Sequence, residues 1–141
     1  MTDLEKAVQN LGAHSICLCR GDEIIFDDGK GISPMMKLIA SGKAISGFSA
    51  ADVIVGKAAA MLFVKAGLSA VHGSVMSEAA LAFLSKNGIP CTYGELTDKI
   101  INRKGDDICP MEKTVAGIDD PEEAYTALRE RLAEMRSRKT Q

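Results

Sequence analysis

Lys57 is the residue whose surroundings demand most of it. It interrupts Val53 to Val64, a run in which every other residue is apolar or glycine. A buried ammonium is costly unless something answers its charge. Asp52 lies five positions earlier, about 140° away round a helix, so it cannot be that partner on one helical face. A structural ion pair is one answer. The other is a cleft where Lys57 meets a phosphate or carboxylate. Gly56 beside it would permit close approach of such a group, at about 1 kcal/mol of helix stability. Ser77 and Glu78 open a later helix, whose free backbone N–H groups suit an anion; Ser77 could equally be a plain cap and Glu78 an offset to the helix dipole. Asp52 and Glu78 are the acid/base candidates. Cys109 precedes a helix start, where a thiol pKa falls, and is a candidate nucleophile. A pairing of Cys109 with His72 or His14 has no spacing to support it. Arg103 and Glu112 are either partners for the Lys57 region or surface charges.

The elements that must position these residues follow from periodicity. Thr2 and Glu5 have capping-box form, and Leu4, Val8 and Leu11 make a helical stripe over residues 3–11 that Gly12 closes. Residues 14–19 and 23–26 read as strands joined by the turn Arg20-Gly21-Asp22, a hairpin. The loop 27–31 is a turn, without calcium-loop spacing. Ser33-Pro34 starts a short helix that Gly42 ends. Ser49 and Asp52 have the form of a second cap, so residues 49–67 read as a buried central helix with Gly67 as its stop. Residues 68–72 read as a strand, 77–87 as a helix and 89–93 as a strand, which predicts parallel strands and a right-handed crossover. Residues 97–103 read as a short helix, and Cys109-Pro110-Met111-Glu112 as the start of another. Asp120 caps a last helix with Tyr125, Leu128, Leu132 and Met135 on one face, and 136–141 is a frayed tail.

Composition bounds the function. A chain of 141 residues forms one domain, 1–141, with a real core. A net charge of −2 and only six Tyr and Phe together argue against electrostatic or stacking contact with nucleic acid. The twelve-residue apolar run is too short to span a membrane. Of the four cysteines, Cys17 and Cys19 share one strand face, and no CxxC pair occurs. They read as small core residues of a reducing cytosol, and with no signal core at the N-terminus the expected location is cytoplasmic.

The order hairpin, buried helix, strand, helix, strand resembles the cytidine-deaminase-like fold. Residues 52–60, Val75-Met76-Ser77-Glu78-Ala79, and Asn102-Arg103 with Cys109-Pro110-Met111-Glu112 resemble a small bacterial and archaeal family of unknown function placed in that fold. The likeness spans roughly Asp3 to Met135. It implies a three-layer α/β/α sandwich with a mixed sheet. In that fold zinc sits between two helix starts carrying His-x-Glu or Cys-x-Glu and Pro-Cys-x-x-Cys. Neither helix start here offers a thiolate or imidazole, and Pro90-Cys91-Thr92-Tyr93-Gly94 has glycine where the second cysteine belongs. No metal and no cofactor are therefore expected. The expectation is a small anionic or nucleotide-like ligand at the paired helix starts, held by Lys57, Ser77, Asp52, Glu78, Arg103 and Glu112. The rivals are a metal-free enzyme using Cys109, and a non-catalytic module whose apolar faces build a homo-oligomer with Lys57 in a structural salt bridge.

Overall fold

The computed structural model describes residues 1–140. Helix α1 (Asp3–Leu11) opens with the expected capping box: Glu5 N–H donates to Thr2 Oγ1 at 3.1 Å and the Glu5 carboxylate accepts from the Thr2 backbone. Strands β1 (Ile16–Arg20) and β2 (Glu23–Asp27) form the hairpin. Helix α2 (Ser33–Ser41) is capped at Ile32, one residue before the serine, and ends at Gly42 with φ +74°. There the left-handed backbone suits glycine.

The reading of 49–67 as one helix fails. Ser49–Val55 is strand β3, and helix α3 begins only at Lys57 (Lys57–Ala66), with Gly56 as its N-cap. A central strand flanked on both edges can be as apolar along its length as a buried helix. The β-branched run Val53-Ile54-Val55 decides for the strand, and Ser49 and Asp52 cap nothing. The next elements are β4 (Ala70–Ser77), α4 (Glu78–Lys86), β5 (Cys91–Thr97), α5 (Pro110–Val115) and α6 (Pro121–Thr140). Both later strands run several residues past the predicted limits, because pairing with neighbours extends them.

The sheet order is β2-β1-β3-β4-β5, with β1 antiparallel to both neighbours and β3, β4 and β5 mutually parallel. The predicted parallel pair is thus present and extended by a third strand. Helix α1 packs Ala7 and Leu11 on one face against Cys17, Cys19 and Ala51. The large core lies on the other face, around the fully buried Met61, Leu62 and Phe63 of α3, with Leu84 of α4 and Leu128 of α6. No helix among the described residues is long and apolar enough to cross a membrane.

The three parallel strands bend together. Their register holds a constant offset, yet it passes over Val53 with Ser74 and Ser74 with Gly94. Ala50 and Val55 both enter the large core, as do Val71 and Met76. Strict alternation would place the members of each pair on opposite faces. Glycine makes room for the bend: a Cβ on Gly73 would lie 2.9 Å from Val55 Cγ2, and one on Gly94 would lie 2.8 Å from the Ser74 carbonyl oxygen.

One further expectation is corrected. Residues 97–103 are not helical. Ile101 bridges Ile108, and Asn102 Oδ1 accepts from Gly105 and Asp106 N–H groups; such local side-chain bonds compete with a helix ladder. Helix α6 extends through residues 136–140, where Arg136 and Arg138 continue a run of good helix formers. Gln141 lies outside the described residues. The Asp120 cap is present, with Glu123 N–H donating to its carboxylate at 3.2 Å, and Tyr125, Leu128, Leu132 and Met135 pack on the core as expected.

Candidate functional site

The starts of α3 and α4 adjoin at the carboxyl ends of β3 and β4, where Val55 and Met76 are neighbours in register. This is where an open α/β sheet gathers ligands. Four free N–H groups begin any helix, and the dipole there favours negative charge. At α3 this demand is met from within the chain. Glu112, in the first turn of α5, places Oε1 2.7 Å from the Lys57 backbone nitrogen and Oε2 2.9 Å from that of Ala58, and accepts a hydrogen bond from each. Gly56 permits the approach. A Cβ on it would lie 2.5–2.7 Å from the three terminal atoms of the Glu112 carboxylate.

The Lys57 side chain answers in the opposite direction. Its ammonium donates to the Val115 carbonyl at 3.0 Å and the Ala116 carbonyl at 3.4 Å, the C-terminal end of α5, and stands 3.7 Å from the exposed Asp119 carboxylate. A cation at the first position of α3 opposes that helix's dipole; turned to the last carbonyls of α5, it complements the other. The two short elements are therefore clamped reciprocally, acid of α5 on the start of α3 and base of α3 on the end of α5. The side chain of Lys57 is 15% exposed, sheltered and fully committed.

Ser77 is buried and caps α4, its Oγ accepting from Ala80 N–H at 3.1 Å. Glu78, next in sequence, points into solvent. Asp52 is only 8% exposed, on a strand and not at a helix start. It sits opposite Ile16 on one side and Gly73 on the other, so its neighbours in register bring no charge. Its Oδ1 accepts from Ile54 N–H at 3.3 Å, a bond along its own strand at the bend. Burial pushes this carboxyl up to about 7, against the smaller lowering effect of the Ile54 and Val53 amides. Cys109 is the N-cap residue of α5, half-buried against the core. His14 bonds Asp28 at 2.7 Å and His72 bonds Thr92 at 2.7 Å, so neither histidine pairs with a cysteine. Arg103 stands exposed in the 101–108 turn and takes no part in the clamp.

Of the residues singled out from the sequence, the structure thus joins Lys57 and Glu112, places Ser77 at the neighbouring helix start, and leaves Arg103 and Glu78 at the surface. Sequence reasoning misses the receiving group, the backbone amides of Lys57 and Ala58. The available signal was Gly56, a glycine whose close approach serves a carboxylate of the same chain. Among the described residues no cluster of three or more His, Cys, Asp and Glu side chains is placed to hold a metal ion.

Fold and site together define a mixed α/β domain whose principal helix start is stoppered by its own carboxylate. Residues 5–132 match the model of a family described as a domain of unknown function, DUF1893, and the chain belongs to that family. It is similar to a DUF1893 family protein from Thermotoga maritima known from a crystal structure. That similarity has 27% identity and a TM-score of 0.81, over 95% of this chain and 91% of the other. No curated protein matches the chain.

Proposed function

We propose that the chain is a non-catalytic association module of cytidine-deaminase-like fold, in which the ground that zinc and substrate occupy in a deaminase has become a structural joint. The strand order and the paired starts of α3 and α4 support the fold reading. Where a deaminase needs thiolates or an imidazole, these starts carry Gly56-Lys57-Ala58 and Ser77-Glu78-Ala79. The observation that carries the proposal is the seat of Glu112. The one charge that the α3 amides call for is already supplied, and the cation that would greet an anion is spent on α5.

Association is drawn from what remains uncovered. Val53, Ile54, Tyr93, Leu96 and Ile101 are exposed large apolar residues on β3, β5 and the turn beyond. Strand β5 is a sheet edge carrying a single charge, Glu95. The opposite edge, β2, also exposes Ile24 and Phe26, but it is rimmed with charge, Glu23 paired with Lys43 and Asp27 with Lys37, which blunts an edge against pairing. A second copy of this chain is thus the occupant that the β5 flank fits.

The test is a thermal-shift screen of nucleotides, sugar phosphates, phosphate and small carboxylates on wild type and on Glu112→Ala. Wild type should be unmoved by all of them. Glu112→Ala should lose stability and regain part of it with acetate or formate, which refill the vacated seat. A nucleotide or phosphate that stabilises wild type, displacing Glu112, would establish the ligand-binding reading instead.

A further inference from the structure

The sulfur atoms of Cys17 and Cys19 stand 3.8 Å apart, and both residues are fully buried. They lie on the face of β1 that α1 covers, and with Ala7, Leu11 and Ala51 they make a small core separate from the large one. Only α1 roofs them. Its two buried residues are Ala7 and Leu11. The contacts that fix it across the hairpin turn, Lys6 Nζ to the Gly21 carbonyl at 3.1 Å and Gly21 N–H to Asp3 Oδ1 at 3.1 Å, are both exposed. This is a dithiol in an apolar chamber under a short, lightly held helix.

We propose that Cys17 and Cys19 form a chelating site for a soft, thiophilic metal or metalloid centre that makes two bonds to sulfur and leaves a complex without net charge. Two thiolates are soft donors. Structural zinc wants four ligands, and among the described residues no third His, Cys, Asp or Glu donor is grouped with this pair. A monovalent ion held by two thiolates would leave a buried anion, and the cations beside the pair are engaged elsewhere, Lys6 on the Gly21 carbonyl and Arg20 on the Ser46 carbonyl. A soft divalent ion gives a neutral product. Two S–H bonds break, two metal–sulfur bonds form, and both protons pass to solvent. A trivalent organoarsenic oxide likewise exchanges its oxygen for the two sulfurs, releasing one water. Burial and the adjacent Cys19 push the Cys17 thiol up to about 12, so that thiol alone is a poor nucleophile. Uptake then depends on both sulfurs engaging together once α1 lifts.

The experiment uses the full chain with Cys91→Ala and Cys109→Ala, which leaves the pair as the only thiols. Phenylarsine oxide is the first probe and mercury(II), followed by its sulfur charge-transfer absorption, the second. One equivalent of each should bind, resist excess monothiol and be removed by a dithiol. The melting temperature should rise with probe concentration. Adding Cys17→Ala or Cys19→Ala should weaken binding at least about a hundredfold, the loss expected when the second attachment ceases to be intramolecular. Leu11→Ala should speed uptake at unchanged stoichiometry, because it loosens the roof. Single-cysteine variants that bind as tightly as the pair, or a folded protein that takes up neither probe, would overturn the site. Neither result bears on the Glu112 seat, which the ligand screen tests separately.

Discussion

A single glycine and a single carboxylate explain more of this molecule than any catalytic motif does. Gly56 has an ordinary extended backbone, with φ −98° and ψ −178°, so its worth is steric and not conformational. Gly56→Ala should therefore destabilise wild type by about 1–3 kcal/mol, since the methyl group drives Glu112 off two charge-assisted hydrogen bonds. In a Glu112→Ala background the same change should cost much less. Chemical denaturation of the four-member cycle reads this non-additivity, and purely additive costs would refute the contact. Asp52 makes a different prediction. Its folded pKa is raised to about 7, while an unfolded aspartate titrates near 3.9. Below about pH 4 both states hold the proton and burial carries no penalty. As pH rises toward 7 the unfolded state releases its proton first, so stability falls by at most roughly 1.4 kcal/mol per pH unit, and above 7 the loss is complete. Asp52→Asn keeps the oxygen that accepts from Ile54 N–H and removes the titration. The variant should gain on wild type steadily between pH 4 and 7 in denaturant melts; a pH-independent difference would show that Asp52 ionises as freely as in the unfolded chain.

At the scale of elements, α5 is too short to stand alone, and isolated helices of such length are unstable in water. It persists because both of its ends are engaged: Glu112 on α3, Lys57 on Val115 and Ala116, and Met111 and Val115 in the core. Lys57→Met keeps the stem and removes the ammonium. Amide hydrogen exchange over residues 110–118 should then quicken by about tenfold or more while α4 and β4 keep their protection, because a lost charge-assisted bond is worth about 1.5–3 kcal/mol. Uniform quickening throughout the chain would mean that Lys57 supports the global fold and not this joint. The coordinated bend of β3, β4 and β5 belongs to the same scale. Asp52 draws the Ile54 amide toward its own side chain, while Gly73 and Gly94 clear space on the next two strands. Bends of this kind re-aim the chain where it leaves a strand, and β3 leads directly into Gly56 and the start of α3.

For the whole molecule, the sheet is covered unevenly. The large core occupies one face, α1 shields the β1–β3 part of the other, and the β5 side is left open with Tyr93 and Leu96 at its edge. Sedimentation across rising concentration should show a monomer–dimer equilibrium, and Leu96→Lys should shift it toward monomer by about tenfold in dissociation constant, a charge being unwelcome in a shared apolar contact. Monomeric wild type at all concentrations would remove the association reading while leaving the closed helix start intact.

The sequence by itself determined the pieces whose causes are local. Thr2 with Glu5, the Asp120 cap, the hairpin turn at Gly21, the stop at Gly42 and the apolar face of α6 are all legible because their hydrogen bonds and periodicities close within a few residues. It also marked Lys57 and Glu112 as charges in need of an explanation. Tertiary structure decided the rest. Whether Ser49–Val55 is strand or helix depends on neighbours supplied by β1 and β4, and an apolar stretch looks the same in either role. That Lys57 and Glu112 meet depends on a chain reversal bringing α5 back over α3, fifty-five residues downstream. A contact of that separation leaves no periodic trace in the sequence, only two charges and a glycine whose purpose appears when the chain is folded.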